Sequence, residues 1–95
     1  MEQDFLDEMI EESTKNNPEF SSLMEEARQR RALLNALAAV RSHSRISQST
    51  IAKRIKTSQP AIARLEAGTV DPRLSTLQRY AASVGKRIQW TIVDA

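Results

Sequence analysis

The 95-residue sequence predicts a mainly α chain with an acidic helical arm, a helical body and a short C-terminal β-strand. Apolar residues recur at helical spacing through most of its length. Ser, Asn, Pro and Gly stand where helices start and stop. The apolar period falls to two only in the closing RIQWTIV. These signals divide the chain into an amphipathic arm over 1–17, a helical domain over 18–86 and a strand segment over 87–95. At this length the chain supports one modest core.

In the arm, DFLDEMIEEST places Phe5, Leu6, Met9 and Ile10 on one helical face and carboxylates on the other. A helix this short is marginal alone and needs a surface to dock on. KNNP breaks it. Asn17 and Pro18 then restart a helix as N-cap and first helical residue, with Glu19 favourably placed in the first turn. Leu23, Ala27, Leu34, Leu37, Ala38 and Arg41 carry that helix to about Ser42, where SHSR ends it. Ser47 caps a helix through Ile55. Ser58 caps another through Glu66, with Gly68 in a left-handed terminating position. Pro72 stiffens the next loop, and Ser75 caps a helix over 76–84 that presents Leu77, Tyr80, Ala81 and Val84 to one side. Gly85 closes it. Ile88, Trp90 and Ile92 then alternate with polar residues.

Charge is unevenly distributed. Residues 1–26 hold nine acids and one base, a net −8, whereas residues 27–95 hold thirteen Lys/Arg and three acids, a net +10. A basic body suits a polyanionic partner and an acidic arm a basic one. The chain has no cysteine, so it forms no disulfide and no thiolate metal site, in keeping with a reducing cytoplasm. Its acidic start is unlike a signal peptide, and its apolar runs are too short to span a membrane. With one histidine, no phosphate-cradling glycine loop and no paired carboxylates in a plausible cleft, the sequence offers no catalytic residues, no metal site and no cofactor motif.

The helices over 47–55 and 58–66 are joined by a few residues, and their apolar positions interlock. Ile51, Ala52 and Ile55 line one face of the first, and Ile62 and Leu65 one face of the second. Ala52 is small where two steeply crossing helices leave little room. This is helix-turn-helix geometry. QSTIAKRIKTSQPAIARLEAG, with DPRLSTLQRYAASVG after it, resembles the XRE, lambda-repressor-like helix-turn-helix family over about residues 33–85. Lys56 stands where that family usually has a turn glycine, and Thr57 where it usually has an aliphatic residue. A non-glycine residue in a left-handed turn costs about 1–2 kcal/mol.

The resemblance makes SQPAIARLEAG a recognition helix. Gln59 and Arg64 have the chemistry to pair with adenine and guanine, and Pro60 and Ala61 to meet a thymine methyl. Ser47, Gln48, Lys53, Ser58, Thr69 and Arg73 resemble the family's phosphate-contacting positions. Read without the motif, Gln59 and Arg64 would be solvated surface side chains and Trp90 a core or interface residue.

NPEF opening a long helix, and LSTLQRYAASVGKRIQWTIV at the end, extend the likeness to HigA-type antitoxins. That resemblance implies a homodimer on a palindromic operator duplex that represses its own operon and neutralises a basic, RelE/HigB-like mRNA interferase. Phe5, Leu6, Met9, Ile10 and Phe20 are the candidate toxin contacts, and Ile88, Trp90 and Ile92 the candidate dimer contacts. The alternative is a free-standing phage- or plasmid-type repressor without a toxin.

Overall fold

The structure, a computed structural model, describes residues 18–94. These form α1 (Pro18–His43), α2 (Gln48–Arg54), α3 (Gln59–Ala67) and α4 (Leu74–Ser83), with no strand among the described residues. The expected helical arm over 1–17 lies outside them. The chain divides into two compact units, Met1–Ala32 and Leu33–Ala95.

Within the first unit, the described residues are the opening turns of α1. Pro18 takes the first helical position and Glu19 the first turn, as the sequence predicts. Glu25 pairs with Arg28 at 3.7 Å and accepts a hydrogen bond from Gln29 at 3.3 Å; both are exposed and worth little. Leu23, assigned above to the apolar stripe, is 62% exposed: nothing among the described residues covers it.

The second unit is built around Leu34 and Leu37 of α1, Ile51 and Ala52 of α2 with its capping Ile55, Ile62 and Leu65 of α3, and Leu77, Tyr80 and Ala81 of α4. Every one of these apolar positions was legible from helical spacing. Leu33, Ile46, Val84 and Ile88 pack against the cluster from its margin. Such burial contributes about 1.5–3 kcal/mol for each large aliphatic side chain.

One polar group enters this core. The Glu66 carboxylate, on α3, accepts from Arg41 Nε at 2.7 Å and Arg41 Nη2 at 2.9 Å, from Gln48 Nε2 at 3.0 Å and from the Tyr80 hydroxyl at 2.5 Å. Arg41 Nη1 also donates to the Ile46 carbonyl at 2.8 Å. One carboxylate on α3 thereby engages α1, α2 and α4. Burial alone would raise the Glu66 pKa, but the bonds from Arg41, Tyr80 and Gln48 outweigh it and hold the carboxyl below its ordinary value near 4.5. Burial and the bond to Glu66 push Tyr80 in the other direction, well above its ordinary value near 10.0.

All four helices stop in the same way. Each is followed by a left-handed residue, and the next N–H reaches back five residues: Ile46 to Arg41, Thr57 to Ala52, Thr69 to Arg64 and Lys86 to Ala81. The left-handed residues are Arg45 (φ 58°), Lys56 (φ 59°), Gly68 (φ 73°) and Gly85 (φ 74°). The only two glycines of the chain are used here. At Gly68 an added Cβ would meet only Leu34 Cδ1 at 3.9 Å, so backbone conformation rather than space requires glycine.

Two local expectations are corrected. Ser75 does not cap α4: Arg73 occupies the N-cap position without a side-chain bond, and its carbonyl accepts from Thr76 at 3.0 Å and Leu77 at 3.1 Å. The extended Arg73 lets the helix begin at Leu74, which leaves Ser75 inside it. The C-terminal strand is also absent among the described residues. Residues 87–94 make no backbone hydrogen bond among the described residues, because a strand exists only through pairing and no other segment of the described chain is extended beside them.

Stability should follow the two shifted groups at opposite ends of the pH scale. Glu66 has a lowered folded pKa, so its contribution is present above its unfolded value and lost as pH falls through the folded one. Tyr80 has a raised folded pKa, so its contribution is present below about pH 10 and lost as pH rises past it. Urea unfolding across pH should show both limbs. Glu66→Gln should flatten the acid limb at a cost of about 3 kcal/mol at neutral pH, and Tyr80→Phe should flatten the alkaline one.

Arg45→Gly and Lys56→Gly should each stabilise the fold by about 1 kcal/mol in thermal unfolding, because glycine relieves the left-handed strain.

Candidate nucleic-acid interface

The pair α2–α3 presents the candidate interface. Ser47 caps α2 by accepting from the Thr50 N–H at 3.1 Å, and Ser58 caps α3 by accepting from the Ala61 N–H at 3.2 Å. Pro60 fits the first turn of α3, where no N–H is needed. Ile51, Ala52, Ile62 and Leu65 are buried, and that burial sets which face of α3 turns outward. Gln59, Pro60 and Arg64 lie exposed on that face, with Ala61 and Ala63 half-buried beside them.

The two helix starts are joined by their first residues. Gln59 Nε2 donates to Gln48 Oε1 at 2.6 Å, and Gln48 Nε2 donates to Glu66 at 3.0 Å. A relay of side chains therefore runs from the partly buried Arg41–Glu66 pair to the exposed beginning of α3. It orients the Gln59 amide, whose oxygen and second N–H stay available. Arg64 differs: its guanidinium has no partner among the described residues and lies exposed on the outer face.

The other sequence-assigned positions fall as follows. Lys53 is exposed without a partner, and Arg73 is exposed at the start of α4. The Thr69 hydroxyl donates to the Arg64 carbonyl at 3.1 Å, closing the end of α3. Gln48 carries the relay in addition to any contact of its own. Phe5, Leu6, Met9 and Ile10 lie outside the described residues, while Phe20 is half-buried. Ile88 packs on the core margin, whereas Trp90 and Ile92 are 48% and 101% exposed.

The Arg41–Glu66–Tyr80 network was not read from the sequence. Its signal was present: Arg41 falls on the same apolar stripe as Leu34 and Leu37, and a cation there requires a buried acid. Arg54 was missed as well. It donates to the Ser83 carbonyl at 2.6 Å and ties α2 to the end of α4.

Among the described residues no group of His, Cys, Asp or Glu is placed to hold a metal, and no helix is long and apolar enough to cross a membrane. The surface instead offers one oriented amide and one free guanidinium on an exposed helix. Both groups have the chemistry to pair with hydrogen-bonding edges.

A model of the helix-turn-helix family matches residues 37–90. The chain is 40% identical over 80 residues to proteins called Antitoxin HigA1 in two Mycobacterium tuberculosis strains, CDC 1551 / Oshkosh and ATCC 25618 / H37Rv. The aligned region is 84% of this chain and 54% of each relative, so the chain spans about half the length of the curated relatives it matches. No solved structure matches.

Proposed function

Because the chain belongs to the XRE-type helix-turn-helix family, we propose that it is a sequence-specific DNA-binding antitoxin. In this reading a homodimer binds a palindromic operator and represses its own operon. The observation that carries the reading is the exposed Gln59–Pro60–Arg64 stripe of α3, with Gln59 held by Gln48 and through it by the Glu66 network. A side chain oriented before binding loses less freedom on docking, so Gln59 is suited to a specific adenine contact. Arg64 is suited to guanine, and Ala61 and Pro60 to apolar contact with thymine. Ser47, Ser58, Lys53, Thr69 and Arg73 position the helix on phosphates, and Gln48 adds to both tasks.

The antitoxin part draws on the relatives' name and on charge. A −8 stretch over 1–26 with Phe5, Leu6, Met9, Ile10 and Phe20 fits a toxin whose surface is basic because it grips RNA. A RelE/HigB-like mRNA interferase is a partner of that kind.

Operator binding in electrophoretic or fluorescence assays should weaken steeply with salt as Lys and Arg displace counterions. Arg64→Ala should cost about 1–3 kcal/mol and relax preference at one base pair, whereas Lys53→Ala should weaken all sequences alike. Equal losses on operator and random duplex would remove Arg64 from base readout.

Deletion of residues 1–16 should sharply reduce inhibition of the toxin in a translation assay while operator binding persists. The acidic stretch speeds association and its apolar residues slow dissociation. Full inhibition by the shortened chain would transfer the neutralising role to α1.

A further inference from the structure

The C-terminal segment is incomplete in one chain. Residues 87–94 leave their backbone groups without partners among the described residues, and Trp90, Ile92 and Val93 stand 48%, 101% and 76% exposed. The sequence here alternates, so an extended conformation puts Lys86, Ile88, Trp90, Ile92 and Asp94 on one face. Ile88 packs against the core margin and anchors the start of that face on the helical body, while Trp90 and Ile92 extend it beyond. Beside it lies a groove of about 480 Å³ lined by Gln78, Ala82, Lys86, Arg87 and Ile88.

We propose that this segment pairs antiparallel with the same segment of a second copy, in one register, with the two-fold axis at Trp90. The inference rests on the dimer of the preceding reading and specifies its interface. A two-fold axis perpendicular to a two-stranded ribbon keeps the even-numbered side chains of both copies on one face, so like parity pairs with like. With the axis at Trp90, Trp90 meets Trp90, Ile88 meets Ile92, and Lys86 meets Asp94. Each is a favourable cross-strand pair: aromatic with aromatic, aliphatic with aliphatic, cation with anion. An axis at Gln89 instead sets Lys86 against Ile92. An axis at Thr91 sets Ile88 against Asp94. Both bury a charge against an aliphatic side chain.

The same register fills the groove. The partner's Ile92 lies opposite Ile88 on the groove wall, and the partner's Asp94 lies opposite Lys86 at its rim. The ammonium of Lys86 and the carboxylate of Asp94 have no other partner among the described residues. Pairing also satisfies one backbone edge of each segment.

The test uses the full chain, which has no cysteine of its own. Single cysteines at 89, 90 and 91 are oxidised and resolved on non-reducing gels. Trp90→Cys should cross-link to its own copy, and Gln89→Cys and Thr91→Cys should not. Mixing Ile88→Cys chains with Ile92→Cys chains should give cross-linked pairs that neither gives alone, a readout that keeps Trp90 in place. By sedimentation, Lys86→Asp should weaken the dimer by about tenfold, and Lys86→Asp with Asp94→Lys should restore it. Preferential cross-linking at 89 or 91, a dimer that forms no cross-link in the mixture, or a purely monomeric chain would overturn the proposal. Operator binding is measured separately. A dimer in this register that ignores duplex DNA overturns the DNA reading alone, and an operator-binding dimer cross-linked through 89 or 91 overturns the register alone.

Discussion

The Glu66 carboxylate takes hydrogen bonds from Arg41, Gln48 and Tyr80, and the orientation of α3 depends on that convergence. The Arg41 and Glu66 side chains are only 16% and 7% exposed. A carboxylate buried to that degree is costly unless its lone pairs are met, and here three side chains from three helices meet them. No buried side-chain polar atom among the described residues lacks a partner. Apolar packing drives these helices together without direction. The carboxylate supplies the direction: α3 can rotate or slide only by stranding a charge in the core.

That constraint reaches the surface through Gln48 and Gln59. Gln48 donates to Glu66 through its amide nitrogen and accepts from Gln59 through its oxygen, so the side chain that leads α3 is positioned by the partly buried Arg41–Glu66 pair. Arg64 lies outside this chain and is free to adjust. The outer face of α3 thus combines one oriented amide with one exposed guanidinium that has no partner among the described residues. On the proposed reading, the first would favour discrimination, because little freedom remains to be lost on binding, and the second charge.

The turns around these helices follow one pattern with two chemistries. Gly68 and Gly85 adopt left-handed backbone without steric cost, while Arg45 and Lys56 adopt it at a cost near that of a weak hydrogen bond. Both strained cations are exposed and flank α2. The C-terminal segment poses the opposite condition, with little strain to release and much bonding capacity unused. Its apolar residues extend the core margin beyond Ile88 and find nothing within the described chain to cover them.

How much was legible follows from the range of the forces involved. The left-handed turn at Lys56 followed only from the family resemblance, whereas the ten core positions, the caps at Ser47 and Ser58 and the stop at Gly68 are written locally. Helical period and capping act over three to five residues, so the sequence alone determined them. It also determined the helix-turn-helix, since Ala52 and the interlocked isoleucines lie within one short stretch. Ser75 was misplaced as a cap because Arg73 and Ser75 both lie within reach of a helix start, and local propensity does not choose between them. Tertiary structure alone decided the network on Glu66, whose partners stand 14, 18 and 25 residues away. It likewise decided that Gln48 holds Gln59, and that residues 87–94 form no strand with any described part of the chain. A buried charge is satisfied by whatever the fold brings beside it, and a strand forms only where a second backbone lies alongside; both are properties of neighbours in space that no local period records.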